Sequence, residues 1–259
     1  MLLTIDIGNS CINLGIFQNQ ELKIHWRIAS DLYKTQDEYT VLMANLMSLN
    51  RMKVRDIKDA VMASVVPPLT RKFESSVRSL FHLEPLVMDH HTPIGIENRY
   101  DNPEEVGMDR LANAVGGKNL VGAPVIIIDF GTAITIDLVD KEGDYAGGVI
   151  LPGREMSAEA LFKRTAKLPS ISLFRPPRVL GKYTIASMQS GLFYGTIGSI
   201  ESLLKRLWKE IGYQTKVILT GGNASELVHE MSYLDQYDPH LTLRGLQVIS
   251  HYNHKKNFR

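Results

Sequence analysis

Apolar runs closed by an acid and a glycine set the rhythm of this chain. Residues 2–7 read as a buried strand carrying Asp6, and residues 12–18 and 22–29 as two more strands. Tyr39, Leu42, Met43, Leu46 and Met47 recur at helical spacing, which predicts an amphipathic helix near 36–49. "DAVMASVV" at 59–66 predicts another buried strand. Pro67 and Pro68 then open a helix through Leu80, because proline is tolerated in a first helical turn. A strand at 85–89 follows, then a helix near 104–118 after Asn102 and Pro103. The pattern restarts with strands at 124–129, 134–139 and 144–151 and a helix at 156–166. Residues 167–182, rich in Pro, Ser and Arg, predict an ordered loop. A long helix over about 187–211, a strand at 215–222 and helices near 224–231 and 241–254 complete the reading. Each half begins with antiparallel hairpins and continues in strand–helix units, which is α/β organisation.

One repeat has a long period. Asp6-Ile7-Gly8-Asn9 and Asp129-Phe130-Gly131-Thr132 lie 123 residues apart, and each joins two apolar strands. Matching hairpins at the start of each half predict a duplicated fold with a cleft between lobes, divided as residues 1–118 and 119–259. A glycine in a tight turn lets backbone N–H groups approach an anion, since no Cβ intervenes. Asn9, Ser10 and Thr132 add donors. A carboxylate beside phosphates is repelled unless a cation sits between, so each Asp implies Mg²⁺ or another hard cation. Asp-Gly turns are common in hairpins, and one copy would mean little. Two copies, with "TGGNA" at 220–224 between a strand and a helix, point to a nucleotide. No G-x-x-x-x-G-K-[ST] occurs, and no G-x-G-x-x-G follows a strand, so neither a P-loop nor a Rossmann site is expected.

"EVGMDRLANA" at 105–114 is the third constellation, with Asp109 and Arg110 at the start of an otherwise apolar helix. An acid there also complements the helix dipole. Between two phosphate-type lobes, however, a general base for a hydroxyl nucleophile is wanted. A carboxylate, with a reference pKa of ~3.9, accepts such a proton late, as the new O–P bond forms. Arg110 suits a carboxylate held in bidentate fashion.

Composition narrows the rest. The 259 residues are 44% hydrophobic and 22% charged, with a net charge of +1, so no nucleic acid or anionic membrane is called for as partner. Cys11 stands alone, which excludes an internal disulfide framework and fits a reducing compartment. With no leader-like N-terminus and no long apolar span, a cytoplasmic enzyme is expected. "MDHHTP" at 88–93 is similar to the DHH phosphoesterase motif, which would use Mn²⁺, but the companion D-x-D is missing. His251 and His254 sit at helical spacing, where a solvated helix end outweighs a metal site.

"DIGNSCINLGIF", "YDNPEEVGMDRLANAVGG", "DFGTAITIDLV", "GGVILPG", "SMQSGLFYG" and "LTGGNA" occur in this order. Together they resemble the type III pantothenate kinase family, within the acetate kinase, sugar kinase, Hsp70 and actin superfamily. The resemblance implies two duplicated actin-like, ribonuclease H-like lobes with mixed sheets flanked by helices. It implies that Asp6, Ile7, Gly8, Asn9, Ser10, Cys11, Ile12 and Asn13 form the first ATP loop, Asp6 helping to hold Mg²⁺ through the phosphates. Thr132 matches the second ATP contact, and Asp129 the site of a monovalent cation, K⁺ or NH₄⁺. Gly107, Met108, Asp109 and Arg110 match the pantothenate motif, with Asp109 as catalytic base and Tyr100 as a contact upstream. Thr184 matches a substrate contact supplied across a homodimer interface. The implied reaction is ATP-dependent phosphorylation of the primary hydroxyl of pantothenate, opening coenzyme A synthesis. Ser10 stands where the family often has Thr, which keeps the hydroxyl, and Met108 fills a variable place. The same family name is also attached to an accessory factor linked to transcriptional activation, and the superfamily includes kinases for other hydroxylated acids or sugars. The retained Asp6, Asp109 and Asp129 favour the enzyme, and the G-x-D-R motif favours pantothenate.

Overall fold

The computed structural model describes residues 1–257, with the side chains of the last two left aside. Ten strands form two five-stranded mixed sheets. The first sheet contains β1 (Leu2–Ile7), β2 (Cys11–Gln18), β3 (Glu21–Ala29), β4 (Asp59–Ser64) and β5 (Leu86–Val87), ordered β3-β2-β1-β4-β5. The second contains β6 (Val125–Phe130), β7 (Ala133–Val139), β8 (Tyr145–Pro152), β9 (Lys216–Thr220) and β10 (Gln236–Tyr237), ordered β10-β9-β6-β7-β8. The two orders are equivalent. In each sheet the opening strand is antiparallel to the next and parallel to a later one.

Six α-helices accompany the strands: α1 (Gln36–Leu49), α2 (Pro67–Phe81), α3 (Met108–Val121), α4 (Arg154–Arg164), α5 (Thr184–Ile211) and α6 (Leu241–Asn257). Among the described residues no helix is long and apolar enough to cross a membrane. The chain packs as two compact units. The first comprises residues 1–122, 143–146 and those from His240 onward; the second comprises 123–142 and 147–239.

In the first unit, Ile5, Ile7, Ile12 and Ile16 are fully buried and meet Tyr39, Met43 and Met47 of α1, the apolar face the spacing predicts. Thr35 and Glu38 form a capping box that starts α1 where expected. In β3, exposed and half-buried residues alternate, as befits an edge strand with one covered face. Helix α6 packs on α3 and on β1, β2 and β4. The α3–α6 crossing is close enough that a Cβ on Gly245 would overlap the Ala112 carbonyl, and one on Gly116 would lie 2.7 Å from Leu241 O. Thr242 Oγ1 donates to Asn113 Oδ1 at 2.7 Å beside the crossing. In the second unit, Ile126, Ile128, Ile134, Ile136, Val217 and Leu219 form the sheet's buried face against Phe193, Ile197, Ile200 and Leu204 of α5.

Three expected elements are revised. The helix expected over 104–118 divides into a 3₁₀ turn at Pro103–Glu105 and α3, because Val106 and Gly107 are extended. The strand expected at 85–89 pairs only at Leu86 and Val87. The helix expected at 224–231 is a 3₁₀ turn, Ser225–Leu227, with Leu227 N bonded to Ala224 O and Glu230 N to Leu227 O. So short a segment does not offset the cost of α-helix nucleation, and turns bury Leu227 and Met231 instead.

Candidate active site

The first unit carries two of the expected groups close together. Asp6 is the fifth residue of β1, opposite Asn13 on β2 and beside Ala63 on β4. Asn13 Nδ2 donates to Asp6 Oδ2 at 2.9 Å, which orients the carboxylate. The turn closes through Gly8 N donating to Cys11 O at 3.0 Å. Ser30 braces it from β3's end: its hydroxyl donates to Gly8 O at 2.6 Å and its N–H to Ser10 O at 3.0 Å. Asn9 and Ser10 are exposed, Ile7 and Ile12 buried, and Cys11 half-buried. The loop is thus a polar rim clamped on an apolar base. Ile7 O accepts from Val65 N at 3.0 Å, and a Cβ on Gly107 would lie 3.4 Å from Val65 Cγ1. Val65 therefore joins the loop to the start of α3.

At that start Gly107 is the extended N-cap and Asp109 lies in the first turn. Asp109 Oδ1 accepts from Arg110 N at 2.8 Å. The carboxylate folds back so closely that a Cβ on Gly107 would overlap it, which accounts physically for glycine two places before this acid. Met108 is buried and anchors the turn. Arg110 is 7% exposed, and its guanidinium carbon lies 6.0 Å from the Tyr100 ring and 5.8 Å from the Tyr145 ring. Cation–π attraction is strengthened by desolvation, so the two rings hold the guanidinium in place. Tyr145 N–H donates to Glu97 O and Arg99 N–H to Tyr145 O, both at 2.9 Å, which ties residues 143–146 beside Tyr100. The Asp144 carboxyl is held below its usual range, because it accepts from Glu97 N–H and faces the Arg99 guanidinium.

The second unit carries Asp129, Thr132 and Thr184. Asp129 is the fifth residue of β6, opposite Thr135 and beside Thr220. Its turn is one residue shorter than the first and closes through Gly131 N donating to Ala133 O at 3.1 Å. Gly221 has φ +100°, and a Cβ there would lie 2.5 Å from Phe130 O and 2.7 Å from Asp129 Oδ1. Only glycine allows this approach of backbone and carboxylate. Thr132 is exposed, and its carbonyl accepts from Gly153 N at 3.0 Å. Thr184 is exposed as the first residue of α5.

The rival signals resolve into local structure. Asp89 Oδ1 accepts from His91 N and Thr92 Oγ1, a closed turn that holds the acid below its usual range. His254 Nε2 lies 2.6 Å from Asp59 Oδ2, and His251 Nδ1 lies 2.9 Å from Gln247 Nε2. No cluster of three metal-ligating side chains occurs among the described residues.

Three features escaped sequence reasoning. Tyr145 had no motif, and it completes the cage only through the return of residues 143–146 to the first unit. Arg154 and Glu226 face each other at 3.1 Å in the second unit. A signal for Arg154 existed: a cation in the first turn of a helix opposes the dipole and calls for a compensating partner.

The same strand order twice, with an acid at the same strand position each time, defines a duplicated two-lobed α/β protein of the actin-like kind. Solved structures share that fold. A Campylobacter jejuni protein described as a Baf-family transcriptional activator has 19% identity and a TM-score of 0.59, covering 98% of this chain and 99% of that one. Component A of the Acidaminococcus fermentans (R)-2-hydroxyglutaryl-CoA dehydratase has 15% identity and a TM-score of 0.55, covering 100% and 99%. Likeness at these identities is one of fold alone. The sequence is more specific: residues 2–206 match the type III pantothenate kinase family. The type III pantothenate kinase of Moorella thermoacetica is 44% identical over 249 residues, 96% of this chain and 98% of that protein. The chain belongs to the type III pantothenate kinase family.

Proposed function

We propose that this chain transfers the γ-phosphoryl group of ATP to the primary hydroxyl of pantothenate, giving 4′-phosphopantothenate at the start of coenzyme A synthesis. The observation that carries the reading is Asp109, set at the head of α3 next to a clamped glycine turn and two residues from a glycine that its geometry requires. Asp109 accepts the hydroxyl proton as the oxygen–phosphorus bond forms and the bond to the β–γ bridging oxygen breaks. Arg110, buried beside the paired rings of Tyr100 and Tyr145, takes the pantothenate carboxylate. Gly107 and Met108 shape the same pocket.

The turn from Asp6 to Asn13 and the turn at Thr132 receive the ATP phosphates. Asp6 fits Mg²⁺ held through those phosphates, as a carboxylate at the edge of the turn oriented by the Asn13 amide. Asp129 is assigned to K⁺ or NH₄⁺, as an acid whose carboxylate lies against the Gly221 backbone at the second turn. Such cations offset phosphate charge. We further assign a cytoplasmic homodimer in which Thr184, exposed at the start of α5, reaches the partner's substrate. The transcription-related reading is weaker, since an idle site has no need of Asp6, Asp109 and Asp129 together.

A coupled ADP-release assay with ATP, Mg²⁺ and K⁺ tests the proposal. Release that depends on pantothenate, and falls when K⁺ is omitted, is the expected result. Nucleotide binding without pantothenate-dependent release would overturn the assigned acceptor.

A further inference from the structure

A row of three polar residues crosses the first sheet just below its turn. Asp6 on β1 lies opposite Asn13 on β2, and Asn13 lies opposite Arg27 on β3. Directly opposed residues of antiparallel strands share a face. The Asn13–Asp6 hydrogen bond shows the first two side chains together. Ile5 and Ile7 flank Asp6 and pack into the core, and Trp26 and Ile28 flank Arg27 and pack against the same core. Since side chains alternate along a strand, Asp6 and Arg27 stand on the other face. Two strand spacings, roughly 10 Å, separate their backbones, a span that an arginine stem largely covers.

Arg27 is the uncommitted charge of that row. It is exposed, and among the described residues it makes no ion pair and no side-chain hydrogen bond. The lysine of the same strand, Lys23, is paired with Glu21 at 2.6 Å, and the His25 ring lies 4.1 Å from that of His240. Toward the turn the next residue on Arg27's face is Ala29, opposite Cys11 and too small to screen a guanidinium. The strand order β3-β2-β1-β4 puts β3 and β4 on opposite sides of Asp6. Val65, which follows β4, joins the turn to the head of α3. Asp109 therefore approaches an anion on the turn from the β4 side, and Arg27 approaches it from the β3 side. A guanidinium offers a planar fork matched to phosphate oxygens, and it offsets the repulsion that Asp6 adds.

Resting on the ATP reading above, we propose that Arg27 is a further catalytic residue, whose guanidinium donates to the γ-phosphoryl oxygens during transfer. The pantothenate oxygen bonds to phosphorus, its proton passes to Asp109, and the electron pair of the breaking bond leaves on the β-phosphate oxygen of ADP. The γ-phosphoryl oxygens carry the charge of that passage, and a fixed guanidinium stabilises it. ADP has no γ-phosphoryl group and makes no such contact.

Calorimetric binding of ADP and of the non-hydrolysable β,γ-imido analogue of ATP to the wild type, Arg27→Ala and Arg27→Lys tests this, alongside pantothenate-dependent rates. Arg27→Ala is expected to weaken the ATP analogue about tenfold, the scale of one charge-assisted hydrogen bond, and ADP by no more than about twofold. Its kcat is expected to fall about 10²-fold, with the KM for pantothenate unchanged. Arg27→Lys keeps the charge without the fork and should fall between the two. Added guanidinium ion should restore part of the rate to Arg27→Ala and none to Arg27→Lys. An unchanged kcat, equal losses for the two nucleotides, or binding of neither nucleotide by the wild type overturns the proposal. Should Arg27→Ala fail to fold, Arg27→Lys decides by the same comparison of nucleotides. Selective loss of the ATP analogue in the variants, with no pantothenate-dependent rate in the wild type, would leave the γ-phosphoryl contact standing and overturn the function proposed above.

Discussion

The two acid-bearing turns are built on one plan and finished differently. In both, the acid is the fifth residue of a six-residue strand whose burial pattern is otherwise the same. The first turn has an extra residue, an amide from Asn13 on the Asp6 carboxylate, and Ser30 bracing two of its carbonyls. The second turn is shorter, with Asp129 lying over Gly221 and Gly153 packed beneath Thr132. The first acid takes a side-chain amide, and the second lies against glycine backbone. Duplication supplied equivalent positions, and the local chemistry around the two acids diverged.

The largest expected effect falls where the second unit has no counterpart. Asp109→Ala should lower kcat by about 10²–10⁴, the usual contribution of a general base, with an unchanged thermal transition. A normal rate in the ADP-release assay would remove Asp109 from the chemistry. Next come the paired acids. Asp6→Ala should lower kcat/KM for ATP by about 10²-fold through loss of cation placement on the phosphates. Asp129→Ala should lower it by about tenfold and abolish dependence on K⁺ or NH₄⁺. Equal losses, with cation dependence intact, would mean that the turns do the same work.

The glycines sharpen the contrast on stability. Gly221→Ala must adopt φ +100° and meet backbone at 2.5 Å, whereas a Cβ on Gly8 meets only Cys11 O at 3.1 Å. The first change should cost about 2 kcal/mol or more and the second about 1 kcal/mol or less. At about 2–4 °C per kcal/mol, thermal unfolding separates them. The smallest effect belongs to Asp144. Its folded-state pKa is lowered by the Glu97 N–H and the Arg99 guanidinium, so its stabilisation is present above the ordinary carboxylate value. It is lost as pH falls through the lower folded value. The Tm difference between wild type and Asp144→Asn should therefore close below about pH 4.

Patterning made most of the frame legible. Nine strands and the helices at 36–49, 67–81 and 241–257 are written in runs and spacings that a reader can count. The two acid turns and the head of α3 were legible as local structure, because glycine, acid and small polar residues in fixed order mark tight turns and a helix start. What escaped is long-range. β10 has two residues, too few to show any period. Tyr145 gains its meaning from Arg110, thirty-five positions earlier. Glu226 gains its meaning from Arg154, seventy-two positions away. No local pattern encodes such pairs.

The α3–α6 crossing bears on how the chain is made. Gly116 and Gly245 let two helices meet almost backbone to backbone, and α3 carries Asp109 at its head. Every residue of 147–239 is synthesised between those helices. On the ribosome the first unit must wait, its sheet complete from the residues up to Val87 and α3 lacking a neighbour, until the second unit has emerged. The head of α3 therefore gains its full packing only after the residues of the second unit have been made, because α6 follows them in the chain.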